Sequence, residues 1–151
     1  MDNSTNASID MEFDSDDSES EENFLNPTIA SVRDFTQLYY KFLDNNRDMV
    51  SSMYVEHSFV IWNEHTIAGK EEIKNLWQKL PTSRHMIDSF EACAIAADQT
   101  MFMVKINGFV EYEGYRRLKI RNSLMITAVD NTWKVVNDSI RVTLDNITTS
   151  L

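Results

Sequence analysis

The sequence is poor in the residues that build cross-links, sharp turns and cofactor loops. Its 151 residues include one cysteine, two prolines and three glycines. The single cysteine, Cys93, excludes an internal disulfide and a cysteine-based metal cage, which fits a reducing, intracellular compartment. The glycines are too far apart for a glycine-rich phosphate loop. We therefore expect no disulfide scaffold, no nucleotide-binding loop and no cofactor.

Long apolar runs are also missing. No stretch approaches the roughly 20 apolar residues that span a bilayer. The first residues, Met1-Asp2-Asn3, lack the basic and apolar segments of a secretory signal. We expect a protein that does not contact membranes.

Basic residues are absent from the beginning of the chain. Residues 1–25 contain nine acidic residues and no Lys or Arg, which leaves 15 acidic against 14 basic residues in the remainder. So polar a segment cannot bury enough apolar surface to fold, and we predict a disordered acidic tail over 1–25, either solubilising or regulated. An ordered domain should cover 26–143 and a loose terminus 144–151. Because the domain is nearly neutral, strong direct binding of nucleic acid is not expected.

Apolar residues recur at three- and four-residue spacing from residue 26 to about residue 46, which predicts an amphipathic helix. Asn26 is a good N-cap, and Pro27 costs no hydrogen bond at the first helical position. A second short helix is expected over 47–54 and a strand over 55–62. A third helix should begin at Gly69 and stop at Pro81.

From His85 onward the pattern changes to strands. We predict them over 85–96, 100–113, 116–129 and 132–143, joined by loops so short that successive strands must be antiparallel. Helices followed by a strand meander predict an α+β domain, with the helices packed on one face of the sheet.

The predicted strands have two unequal faces. One is apolar, and in the last two strands its inward positions are Leu118, Ile120, Leu124, Ile126, Val135 and Ile140. The other mixes Met and Phe with Lys and Arg, a composition enriched in protein interfaces. Two interpretations stay open: a hydrated face with scattered apolar residues, or a face that a partner covers.

Candidate metal-binding and catalytic groups are few. The three histidines, His57, His65 and His85, show no i,i+4 pairing and no carboxylate at ligand spacing, so no metal site is expected. An enzyme would need a desolvated acid–base pair inside the fold. The inward positions are nearly all apolar, and Asp138 is the one acid that the pattern does not place. We therefore expect no enzymatic activity.

One arrangement would revive an enzymatic interpretation. It is a deep cavity that holds a carboxylate hydrogen-bonded to Tyr39 or Tyr40 on the first helix.

Several short motifs resemble the nuclear transport factor 2 family. They are collinear and cover residues 26–142: DFTQLYY at 34–40, MY at 53–54, WN at 62–63, GKEEI at 69–73, LP at 80–81 and WKVVNDSIR at 133–141. The resemblance implies a cone in which three helices pack in a strongly curved antiparallel sheet. Members include import carriers for the Ran GTPase, and the carriers place an acid where this chain has Asn63. That departure makes the chain more similar to the export branch of the family.

The export branch implies a non-enzymatic subunit. Its open sheet face pairs with the similar domain of a large nuclear RNA export receptor, and the heterodimer supports mRNA export, shuttling between nucleus and cytoplasm and contacting nucleoporins at the nuclear pore. Arg141 matches the last-strand arginine that forms an ion pair across that interface. From the pattern and the resemblance together we predict the partner interface at Met103, Lys105, Arg121, Ser123, Met125, Ser139 and Arg141.

Two alternatives remain at this point. One is a homodimeric import carrier for GDP-bound Ran, which shares the fold. The other is a small cavity enzyme of the isomerase or dehydratase kind, because cones of this type also host such activities; fold analogy alone is a weak argument for it.

Overall fold

The computed structural model describes residues 6–9, as backbone, and residues 27–144. Helix α1 covers Pro27–Asn45, a 3-10 helix covers Arg47–Met53, and α2 covers Lys70–Lys79. All three were predicted, with bounds that differ by one or two residues. Gly69 is the N-cap residue that precedes α2, and its φ of 91° is a backbone conformation that L side chains rarely adopt. No helix in the described ranges is long and apolar enough to cross a membrane.

The strands form one sheet in the order β1-β4-β5-β6-β7-β2-β3. Their bounds are β1 Asn6–Ile9, β2 Tyr54–Trp62, β3 His65–Ala68, β4 Ser83–Ala94, β5 Met101–Tyr112, β6 Leu118–Val129 and β7 Thr132–Leu144. The four long strands were predicted from residue 85 onward, and their hairpin connections are antiparallel as expected.

The sheet departs from the prediction in one pairing. Strand β2 runs parallel to β7, whereas the predicted sheet was wholly antiparallel. A short loop forces its two strands to be antiparallel, but β2 and β7 are separated by α2 and four strands. No turn therefore fixes their relative direction, and the pairing could not be read from loop lengths.

Two short strands were not predicted. Strand β3 forms a hairpin with β2 through a turn in which Asn63 has φ of 55°. Strand β1 pairs with β4, so the prediction of a disordered tail is wrong for residues 6–9. The other residues of 1–25 lie outside the described residues, as do 145–151 of the predicted loose terminus; Leu144 ends β7.

The helices pack on one face of the curved sheet and close an apolar core, which gives the α+β cone expected from the sequence. Five of the six predicted inward positions in β6 and β7 are buried, and Leu118 is half-buried against the core. The register of β4 shifts between Ile87 and Ser89, opposite Gly108. A Cβ at Gly108 would lie 2.2 Å from the Met86 carbonyl oxygen, so only glycine fits this bend.

Candidate functional site on the outer face of the sheet

The face of the sheet that points away from the helices carries side chains in ordered rows. Strand register aligns β5, β6 and β7 into three of them: Met103–Met125–Asn137, Lys105–Ser123–Ser139 and Asn107–Arg121–Arg141. All seven predicted interface residues lie in these rows. The structure thus brings them together on one surface, which we call the outer face, and their role in binding stays a prediction.

The first row is apolar and only partly covered. Met103 and Met125 lie directly opposite each other and are half-buried. Neither belongs to the side chains that pack against the core. The Asn137 amide nitrogen lies 3.6 Å from the Met125 sulfur at the end of the row. Thioether side chains adapt to irregular partner surfaces, so this row is suited to a contact with another protein.

Strand β2 extends this apolar surface. Phe59 lies opposite Asn137 and Ile61 opposite Ser139, and both are half-buried. The sequence predicts only a strand over 55–62 and does not assign these two residues to a face, because a run of four apolar residues hides the alternation of faces. Val60 between them is fully buried, and because successive residues of a strand point to opposite faces, Phe59 and Ile61 point outward.

The third row is cationic. Arg121 and Arg141 lie directly opposite each other, and both are exposed. Together with Lys105 they line a cavity of about 330 Å³ that also contains the two serines of the middle row. Within residues 27–144, the recorded ion pairs are those of Arg84 with Glu111 and of His85 with Asp44, and neither involves this row. Exposed guanidinium groups and hydroxyls around one cavity can bind carboxylates.

The inner face of the same strands holds a buried acid. The hydroxyl of Tyr39 donates a hydrogen bond to Oδ2 of Asp138, and the Tyr54 hydroxyl oxygen lies 3.4 Å from the same atom. The Tyr39 and Tyr54 hydroxyl oxygens are 2.5 Å apart. Burial raises the pKa of the Asp138 carboxyl to about 7, although hydrogen bonds from the two tyrosines and Asn122 oppose that rise. Asp138 is the acid that the sequence could not place.

This cluster meets half of the condition that would revive an enzymatic interpretation. The carboxylate bonded to Tyr39 is present, but Asp138 and Tyr39 have no exposed surface and Tyr54 is only 1% exposed. Asn122 is also buried here and donates to the Tyr40 hydroxyl at 2.5 Å. Packed side chains therefore surround the acid, and a substrate would have to displace them to reach it.

A second carboxylate joins α1 to β4. Oδ1 of Asp44 lies 2.6 Å from Nδ1 of His85, and Oδ2 accepts a hydrogen bond from the His85 backbone N–H at 2.8 Å. Although burial alone would raise it, these contacts hold the pKa of the Asp44 carboxyl below its ordinary value. The sequence spacing predicted no carboxylate neighbour for His85, because Asp44 lies 41 positions away along the chain. In the part of the chain that the structure describes, no three acidic, histidine or cysteine side chains gather as metal ligands.

Asn63, the residue that departs from the import-carrier pattern, is engaged within the chain. Its side-chain oxygen accepts a hydrogen bond from the Val142 backbone N–H at 2.8 Å, and its own N–H donates to the Ile140 carbonyl at 2.8 Å. Asn63 thus fastens the β2–β3 turn to the end of β7, next to Arg141.

Comparison with known proteins places this fold. Residues 31–142 match the nuclear transport factor 2 (NTF2) domain. The chain belongs to the nuclear transport factor 2 family. A similar curated protein is NTF2-related export protein 1 of Bos taurus, 23% identical over 126 residues, which cover 78% of this chain and 90% of that one.

Solved structures agree on the fold. Nuclear transport factor 2 from Cryptosporidium parvum has a TM-score of 0.70 at 17% identity, covering 78% of this chain and 96% of that one. A protein from Novosphingobium aromaticivorans assigned as a scytalone dehydratase has a TM-score of 0.68 at 16% identity, covering 83% and 89%. The fold therefore occurs in transport factors and in a protein assigned as an enzyme, so it does not by itself decide function.

Proposed function

We propose that this protein is a non-enzymatic subunit that pairs, through its outer face, with the similar domain of a nuclear RNA export receptor. The heterodimer supports mRNA export, shuttles between nucleus and cytoplasm, and meets nucleoporins at the pore through the complex. The curated relatives named NTF2-related export proteins support the export role. The observation that carries the proposal is the outer face itself, where half-buried apolar side chains border exposed, unneutralised arginines.

Physical chemistry favours a protein partner for this face. The methionines, with Phe59 and Ile61 beside them, offer an apolar centre. The arginines offer directional contacts at its border. An apolar centre bordered by polar groups is the usual anatomy of a protein interface, with arginine among the enriched residues. A hydrated face would not need methionines opposite each other.

Arg141 is the proposed ion-pair residue. It is exposed on β7 and held in register by the adjacent turn, because Asn63 binds the backbone of Val142. A carboxylate of the receptor would bind its guanidinium through two parallel hydrogen bonds. Removing the arginine would then leave that carboxylate buried and unpaired, which costs about 3–5 kcal/mol.

The test is light scattering of the purified protein, alone and mixed with the receptor's similar domain. We expect a one-to-one complex with the natural sequence and none with Arg141→Asp. The control is Lys79→Asp on α2, which makes the same change of charge at an exposed position away from the outer face. Thermal unfolding of both variants should match that of the natural protein to within a few degrees.

Three outcomes would contradict the proposal. If the protein and the receptor domain stay separate, the export role is wrong. If Arg141→Asp binds as well as the natural protein, the assignment of Arg141 is wrong. If GDP-bound Ran binds a homodimer of this chain, the import-carrier alternative replaces the proposal; the use of the Asn63 side chain within the fold argues against that alternative.

A further inference from the structure

The outer face contains more positive charge than one ion pair to a partner requires. Arg121 lies directly opposite Arg141, and like charges placed opposite each other weaken a sheet. Both side chains are exposed, and the structure records no hydrogen bond or ion pair between either of them and another residue of 27–144. The free protein therefore holds two guanidinium groups side by side without neutralising them.

We propose that Arg121 and Arg141, which we call the arginine pair, bind two separate carboxylates of the partner, and that Arg121 is a second specificity-determining residue of the interface. This inference rests on the proposed function, since it concerns the same face. It adds the chemistry of the partner surface, which must present two acidic side chains side by side.

The strand register places no acidic residue directly opposite either arginine. The residues beside Arg121 on the neighbouring strands are Asn107 and Arg141, and neither supplies a negative charge. Lys105 differs, because Glu91 lies opposite it on β4. The lysine therefore has an acid on the neighbouring strand, whereas the two arginines have none opposite them.

The number of carboxylates follows from guanidinium geometry. One carboxylate pairs with one guanidinium through two parallel N–H···O bonds. A single partner acid paired in this way with one arginine would leave the second arginine desolvated and unpaired beneath the partner, which is unfavourable, and a single acid that bridged both would give up the two parallel bonds. The cavity of about 330 Å³ extends across both arginines and the hydroxyls of Ser123 and Ser139, which can donate to the remaining carboxylate lone pairs. Two partner carboxylates would therefore pair with both arginines and accept hydrogen bonds from both serine hydroxyls.

The experiment is titration calorimetry of the receptor's similar domain with the natural protein and four variants. They are Arg121→Gln, Arg141→Gln, the double variant and Lys119→Gln. We expect each single arginine variant to bind at least about 30-fold more weakly, because a partner carboxylate is left unpaired. The double variant should bind more weakly than either single variant, because each arginine holds its own carboxylate; the two losses do not simply multiply, since the arginines are direct neighbours.

Lys119→Gln is the matched control. Lys119 is exposed on the same strand and the same face as Arg121, two residues away, and lies opposite Thr143. The Lys119→Gln variant removes the same charge without altering the arginine pair. We expect its binding affinity to fall by about threefold or less, as for an exposed charge. Unfolding of the isolated variants supplies a second readout. Arg121→Gln should leave Tm unchanged or raise it, because it removes like-charge repulsion.

The outcomes separate this inference from the proposed function. If the natural protein binds and Arg121→Gln binds equally well, the arginine pair is wrong and the proposed function stands. Equal losses for Arg121→Gln and Lys119→Gln would show general attraction and overturn the pair. A double variant no weaker than the single ones would show one shared carboxylate and also overturn it. A lowered Tm for Arg121→Gln would show that Arg121 stabilises the fold and would also overturn the pair. If the natural protein does not bind, both proposals fall.

Discussion

The two faces of strands β5 to β7 differ in the burial of their charged groups and in the partners these groups have within the chain. On the inner face, the carboxyl of Asp138 is fully buried and has Tyr39 and Tyr54 as hydrogen-bond partners within the chain. On the outer face, Arg121 and Arg141 stand opposite each other and exposed. The Oδ2 atom of the buried carboxyl finds its partners inside the chain and contributes to the fold, whereas the exposed arginines have no such partner within residues 27–144 and are available to another molecule. Whether a charged side chain has a partner within the chain therefore separates residues that stabilise the fold from residues that can bind another molecule.

The largest expected effect uses two neighbours on β5 that face opposite ways. Phe102 is fully buried with its ring 5.7 Å from that of Trp133, whereas Met103 is half-buried on the outer face. Phe102→Ala should lower the free energy of unfolding by about 3–5 kcal/mol. Met103→Ala should lower it by about 1 kcal/mol or less. Urea unfolding followed by circular dichroism measures both, and equal losses would place Met103 in the core and remove it from the interface.

The next effect concerns pH and the buried acid. Because the folded-state pKa of Asp138 is raised from 3.8 to about 7, the folded protein binds more protons than the unfolded chain between these values. The contribution of protonated Asp138 to the free energy of unfolding is therefore present below about pH 4 and is lost as the pH rises to about 7. The loss is on the order of 1 kcal/mol per pH unit.

The variant Asp138→Asn isolates this contribution, since it cannot titrate. The difference in unfolding free energy between the natural protein and Asp138→Asn should shift in favour of the variant from pH 4 to pH 7 and level off above. Urea unfolding at each pH measures the difference. A difference that stays constant over this range would mean that Asp138 is not protonated in the folded protein near neutral pH.

The smallest effect tests how firmly the outer face is held in place. Asn63→Ala removes the acceptor for the Val142 backbone N–H and should cost about 1 kcal/mol of unfolding free energy. Glu64→Ala, at the exposed neighbouring position, should change it by about 0.5 kcal/mol or less. If the two variants unfold alike, the Asn63 bond does not fasten β7, and Asn63 becomes available for binding.

Much of the fold could be predicted because it rests on long periodic segments. Helix α1 shows its period over 19 residues, and the four long strands alternate apolar and polar side chains over 12 or 13 residues each. Strand β1 could not be predicted, since Asn6–Ile9 lies in a polar, acidic segment and joins the sheet through backbone pairing with β4. Strand β3 is too short to show a pattern.

The candidate site could be predicted only in part. Alternation along β5 and β6 separated the two faces, which is why Met103, Lys105 and Arg121 were assigned to the outer one. What alternation cannot give is register between strands distant in sequence. The position of Phe59 opposite Asn137 across a parallel pair is of this kind. The opposition of Arg121 and Arg141 depends instead on the β-bulge between Met125 and Ile126, which shifts the register of the β6–β7 hairpin by one residue.

The most direct test of the outer face uses the methionine methyl groups as probes in a single NMR titration. The protein, labelled with ¹³C at its methionine methyls, is titrated with the receptor's similar domain. Met103 and Met125 lie on the outer face, whereas Met53 is buried in the core and Met49 is exposed on the 3-10 helix. We predict that the Met103 and Met125 signals shift or broaden strongly while those of Met49 and Met53 stay in place. Binding that moves the Met49 signal and leaves Met103 and Met125 unchanged would contradict the account.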